Sequence, residues 1–177
     1  MTKEHYSVEA EELLAEIGIS LMLIQDMEHF FTACMKLVFP DELPRTMDEF
    51  LTDDRRTFGT LVKEMKKLVD VSPEFDCLLR QTLEDRNLFV HRLRFQSWYD
   101  IHTKEGQDAT WDFLGRLFEE VKETNRVFQA FIWRLHQEHG VPETEDERIL
   151  RDRGFIQDLE VNYVPLLDRI ATKKKTN

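Results

Sequence analysis

Arg86, Asn87 and His91 are the side chains whose types and spacing can do chemistry together. An imidazole titrates near neutrality, so it can take or give a proton. A guanidinium can hold a phosphate and stabilise charge that builds on it in a transition state. A carboxamide can orient an oxygen or the imidazole. An Arg followed by a His at this spacing is not rare in itself, because Arg134 and His139 repeat it. That second pair runs into Gly140, and its next residue is Leu135, a core-type side chain. The Arg86 copy has Asn87 instead, lies within a helical pattern, and is followed at once by Arg92 and Arg94. These two cations would bind an anionic substrate.

On a helix Asn87 and His91 stand four apart and share a face. Arg86 lies about 100° round from Asn87, and its long side chain can still reach a phosphate placed near the other two. The helix that must position them opens at Ser72-Pro73, with Ser as N-cap and Pro in the first helical position. Its apolar seam is Phe75, Leu79, Leu83, Val90 and Leu93, and Arg86 takes the seam position between Leu83 and Val90. An earlier helix starts at Ser7, with Glu9, Glu11 and Glu12 near its positive end, and Pro40 stops it. Leu14, Ile17, Leu21, Ile24, Phe31, Met35 and Val38 follow the three-four rhythm there, and Glu28 breaks it.

Asp41 to Arg45 reads as a loop, followed by a helical stretch from about Thr46 with Phe58, Leu61, Met65 and Leu68 inward. Lys104 to Asp108 reads as a polar connection, and a long helix follows from about Ala109 to His139. Trp111, Leu114, Phe118, Val121, Phe128, Ile132 and Leu135 form its seam, with Asn125 as the polar break. Glu143 to Ile170 is a weaker helical region interrupted by Gly154 and Pro165. The steady rhythm predicts an all-α bundle of four to five helices in near-antiparallel packing. It occupies 1–172 as a single domain, with 173–177 as a disordered basic tail.

Glu28, Arg86 and Asn125 each interrupt a seam near the middle of a helix. A charge on a core seam is costly unless it is paired. Antiparallel helices would bring the three to similar depth, so Glu28 is expected to accept from Arg86 with Asn125 close enough to join. Glu28 and Asn125 would then position the guanidinium. Two plainer readings stand beside this one: Asn125 fixes bundle register, or Glu28 tilts out to solvent.

Composition narrows the function. Six Gly and five Pro in 177 residues are too few for a turn-rich β fold. A net charge of -11 excludes non-specific coating of nucleic acid but leaves room for a local site. Cys34 and Cys77 offer no metal-ligand spacing or disulfide framework and read as reduced core residues of a cytoplasmic protein. The first residues lack a signal-peptide pattern, and no apolar run is long enough to span a bilayer. His136 with His139, and Asp26 with His29, have metal-like spacing but no complementary set, so neither a metal nor any other cofactor is expected. No nucleophile elbow and no glycine-rich phosphate loop occurs. Trp98, Trp111 and Trp133 can stack on bases, though in a bundle they more often fill the core or an interface.

The segment Leu83-Glu84-Asp85-Arg86-Asn87-Leu88-Phe89-Val90-His91 resembles the signature of the HEPN superfamily, an Arg and a polar residue followed after three positions by His. HEPN domains are small all-α bundles, and many are metal-independent endoribonucleases of toxin–antitoxin, anti-phage and RNA-processing systems. The first helix with Gly18 and Glu28, and the Arg56-Thr57-Phe58-Gly59-Thr60-Leu61 stretch, resemble neighbouring helices of that superfamily. The resemblance covers roughly Ser7 to His139, and only the motif is specific. It implies that Arg86, Asn87 and His91 are catalytic and that the chain forms a homodimer with a composite cleft, in which Arg92 and Arg94 are the basic side chains expected to bind an RNA substrate. An antitoxin or another partner protein is a further expectation; a membrane is not. Some toxin branches carry Tyr two residues after the His, where this chain has Leu93, so regulation through such a tyrosine is not expected. The alternative is a non-catalytic HEPN-like module that dimerises or docks a partner.

Overall fold

The computed structural model describes residues 7–39 and 58–173. The expected loop at 41–45, the helix start near Thr46 and the Arg56-Thr57 part of the resemblance lie outside these residues, as do 174–177 of the expected tail. Ser7 caps the first helix, α1 (Val8–Val38), accepting from the Ala10 amide at 3.2 Å. A short helix, α2 (Phe58–Leu68), leads into strand β1 (Val69–Val71). Ser72 then caps α3 (Pro73–Arg92) through the Phe75 amide, and Pro73 supplies a fixed φ where no amide donor is needed. The motif helix therefore begins where the sequence places it.

The longest helix, α4 (Lys104–Glu138), starts five residues before the expected Ala109. Thr103 caps it by accepting from the Gly106 amide, so the stretch read as a polar connection is its first turn. Gly106 is needed there, because a Cβ would collide with the Asp100 backbone. Gly140, at φ 62°, follows the end of α4. The C-terminal region comprises α5 (Glu145–Asp152), a single turn α6 (Phe155–Asp158), a wide helical turn (Leu159–Tyr163) followed by a tight one (Val164–Leu166), and α7 (Leu167–Ile170). Thr144 and Glu147 form a reciprocal capping box at α5. Strand β2 (Ala171–Lys173) pairs antiparallel with β1, with Val69 opposite Lys173. Lys173, expected in the tail, is thus the last residue of a strand. Among the described residues the architecture is an all-α helical bundle with this small two-stranded ribbon.

Helix directions depart from the expected antiparallel packing. Leu23 lines a pocket with Phe118 and Asn125, Phe31 stacks on Phe128 with ring centroids 4.2 Å apart, and Val38 shares a cavity with Leu135. Partners climb both helices together, so α1 and α4 are parallel. Helix α3 runs against both. Phe75 meets Phe128 and Phe89 meets Phe113, while Glu28 meets Arg86 and Ile17 lies beside Leu93. A three-four rhythm marks a packed face but carries no information on direction between helices that are not consecutive.

The buried arc of α3 also differs from the predicted seam. Phe75, Leu79 and Leu93 are buried, but Leu83 is only half-buried and Val90 is exposed. Thr82, Asp85 and Phe89 are buried in their place. Their polar groups are matched across the interface with α4. Thr82 Oγ1 and Thr124 Oγ1 hydrogen-bond at 3.0 Å, and Arg116 Nε donates to Asp85 at 2.9 Å. An apolar pattern cannot reveal a seam completed by paired polar residues. Likewise Cys77, expected in the core, is exposed on α3, whereas Cys34 is buried and its thiol is pushed up to about 12 by desolvation. Among the described residues no helix is long and apolar enough to cross a membrane.

Candidate active site

The last two turns of α3 bring Arg86, Asn87 and His91 into contact. Phe89 and Leu93 are buried on either side of His91 and fix this end of the helix, leaving Asn87 and His91 exposed. The Arg86 side chain lies between α3 and α1 and is only 11% exposed. Its Nε donates to Glu28 Oε1 at 2.7 Å. Its Nη1 faces Asn87 Oδ1 at 3.1 Å and His91 Nε2 at 3.3 Å. Among the described residues Nη2 donates to nothing. One edge of the guanidinium is thus held by a carboxylate, and the rest points to the exposed pair.

The geometry assigns proton positions. If Nη1 donates to His91 Nε2, that nitrogen is unprotonated and the ring proton sits on Nδ1. The imidazole can then offer Nδ1–H as a donor. A phosphate that drew the guanidinium towards itself would free Nε2 to accept a proton. Glu28, on α1, holds Arg86 from the far side. A guanidinium so buried would be costly without a partner, and the ion pair fixes its orientation.

Other predicted residues stand differently. Asn125 makes no hydrogen bond to Glu28 or Arg86 among the described residues. It sits on α4 in a shallow pocket with Leu23, Phe118 and Phe155, and its Oδ1 is buried without a partner. The rhythm placed it at the right depth but could not give its direction around α4. Arg92 and Arg94 are exposed at the end of α3, and neither enters an ion pair among the described residues. Of the metal-like pairs, His136 Nδ1 meets Glu147 at 3.0 Å, an α4–α5 contact. Among the described residues no three His, Cys, Asp or Glu side chains gather as a metal site. Trp133 is buried and donates to Glu160, Trp98 packs on Phe113, and Trp111 is exposed.

Two features beside the motif escape the sequence pattern. On the inner side of α3, Arg116 is shared by Asp85 and the neighbourhood of Glu120. The Glu120 carboxyl is pushed up to about 7, first by burial and then by the charge of Asp85, against the pull of Arg116. Its Oε2 is buried without a hydrogen bond. The spacing of Arg116 and Glu120 by one helical turn is the only sign of this in the sequence. On the outer side, a groove of about 420 Å³ runs between α1 and the end of α3, and His91 lines it. Compared with known protein families, with curated proteins and with solved structures, the chain matches none.

Proposed function

We propose that the chain is a metal-independent endoribonuclease of the HEPN kind, acting as a homodimer. The observation that carries this reading is the guanidinium of Arg86, anchored on Glu28 and turned towards Asn87 and His91. Such a group is suited to hold a scissile phosphate beside an exposed imidazole. In the proposed reaction His91 takes the proton of a ribose 2′-hydroxyl as the 2′-oxygen attacks phosphorus. The bond to the 5′-oxygen breaks, and that oxygen leaves with a proton. The products are a 2′,3′-cyclic phosphate and a 5′-hydroxyl. Arg86 stabilises the crowded phosphate, Asn87 holds the geometry, and Arg92 and Arg94 bind flanking phosphates.

A homodimer supplies what one protomer lacks. Among the described residues each copy places one imidazole at this site, whereas cleavage needs a group to take a proton and a group to give one. Two motif helices facing each other would provide both. They would also double the cationic groups on a chain of net charge -11. A role in a toxin–antitoxin or anti-phage system, with an antitoxin as partner, accompanies this reading. The two free thiols suit a cytoplasmic setting.

The second reading is a non-catalytic module that dimerises or docks a partner. The apolar lining of the groove between α1 and α3 favours it. Incubating purified protein with total RNA in EDTA, beside a His91→Ala control, separates the two. Cleavage lost only in the variant supports the nuclease, and intact RNA with both proteins supports the module.

A further inference from the structure

We propose that the groove between α1 and the end of α3 is a nucleobase subsite, in which an unpaired base next to the scissile phosphate stacks against Phe95. This rests on the RNA reading of the motif and names the substrate class more narrowly, as single-stranded RNA.

Five observations converge on that occupant. Phe95 is 86% exposed, the most exposed large apolar side chain among the described residues. It sits in the short turn Leu93–Phe95 that directly follows the motif helix, so its backbone is placed beside the site and its ring is free to meet a ligand. The groove it borders also contains His91 and Arg94, so the subsite is continuous with the candidate catalytic residues. Its remaining walls are apolar or aromatic, including Leu21, Val90 and Tyr99. Arg94 in this lining, and Arg92 two residues before it in the chain, are unpaired among the described residues on an acidic protein. A face that is apolar within and cationic at its edge fits a base joined to phosphates better than an uncharged peptide segment.

The floor of the groove is open at Gly18. A Cβ built there meets nothing within 4 Å. A side chain added at Gly18 can therefore enter the groove while Arg86, Asn87 and His91 are left unsubstituted. Leucine is also a better helix former than glycine, so Gly18→Leu should not weaken α1.

The test uses a short fluorescent single strand of 2′-O-methyl RNA. It has no 2′-hydroxyl to attack with and stays intact during the measurement. Loss of one base–aromatic stack corresponds to about a five- to hundredfold change in affinity. Phe95→Ala and Gly18→Leu should each weaken binding by about that factor, while Phe95→Tyr should bind like the original chain. Equal binding by Phe95→Ala, or no binding by the unmodified protein, would overturn the subsite. So would a dimer that Phe95→Ala converts to monomer with RNA affinity unchanged, since the groove would then be a seam between copies. Cleavage of ordinary RNA is read in parallel. Cleavage with an unchanged KM in Phe95→Ala removes the subsite and leaves the nuclease reading standing. Phe95-dependent binding without any cleavage removes the nuclease reading and keeps the groove as an RNA-binding site.

Discussion

Asp85 and Arg86 are neighbours on α3, yet they finish in different kinds of environment. Asp85 turns inward to Arg116 on α4, near the buried hydrogen bond between Thr82 and Thr124. Arg86 turns towards α1, spends Nε on Glu28, and brings the rest of its guanidinium to the exposed Asn87 and His91. Both faces bury charge, and both answer it with an opposite charge from another helix. The inner face pairs Asp85 and locks α3 to α4, leaving the buried Glu120 Oε2 unpartnered but turned away from solvent. The outer face leaves Nη2 of Arg86 and Nδ1 of His91 without partners among the described residues, open to a ligand. Pairing is thus what stability requires, and incomplete pairing at the surface is what a binding site requires.

The two faces can be separated by mutation. The largest expected effect is on the outer face. Arg86→Ala should lower the cleavage rate by about 10²–10³, as removal of a group that stabilises transition-state charge does. Arg86→Lys should recover little of it, because an ammonium cannot reach Glu28, Asn87 and His91 at once. Single-turnover rates on a defined RNA check both, and full activity in the lysine variant would count against the fork geometry.

Next in size is the anchor. Glu28→Gln and Arg86→Met should each destabilise the fold by about 1–3 kcal/mol, by leaving a poorly exposed polar partner unmatched. The double mutant should lose less than the sum, with a coupling of about 1–2 kcal/mol. Additive urea-melt values would mean that the 2.7 Å contact contributes nothing.

On the inner face, Asp85→Asn should destabilise by a similar or smaller amount, because Arg116 is 55% exposed and water can replace its partner. It should leave kcat largely intact, since Asp85 touches neither Asn87 nor His91. A large loss of kcat with little loss of stability would erase the distinction between the two faces.

The last effect concerns Glu120, which is only partly buried, so that solvent screening reduces what its shift alone would give. Its carboxyl, pushed up to about 7, keeps a proton in the folded chain that the unfolded chain releases near the ordinary 4.5. Stability therefore falls as pH rises between these values and levels off above them. Glu120→Gln should remove that fall, so urea midpoints at about pH 5 and about pH 8 should differ less than in the original chain. An unchanged difference would place the titration elsewhere.

Much of this arrangement was legible because caps and breaks are local. Ser7, Ser72-Pro73 and Gly140 mark helix ends through their own backbone chemistry, and α1, α3 and the end of α4 follow them. The start of α4 was hidden because Gly106 looks like a breaker; it is required by close approach to Asp100, a contact made only in the fold. The Glu28–Arg86 contact was legible because two charges on facing seams have few ways to be satisfied. Asn125 was not, since an uncharged amide has a weaker claim on any partner and its direction depends on helix rotation. The groove was invisible for a related reason. Phe95 reads as one more apolar residue until the helix is seen to end at Arg92 and turn its ring outward.

The central claim is that His91 and Arg86 cleave RNA without a metal, and one experiment tests it most directly. Purified chain is incubated with RNA in excess EDTA, beside His91→Ala of matching far-UV circular dichroism, and the new ends are identified. The account predicts 2′,3′-cyclic phosphate and 5′-hydroxyl ends from the original chain, with a rate lower by at least the ~10²–10⁴ of one acid–base group in the variant. Cleavage abolished by EDTA, or undiminished in His91→Ala, would contradict it.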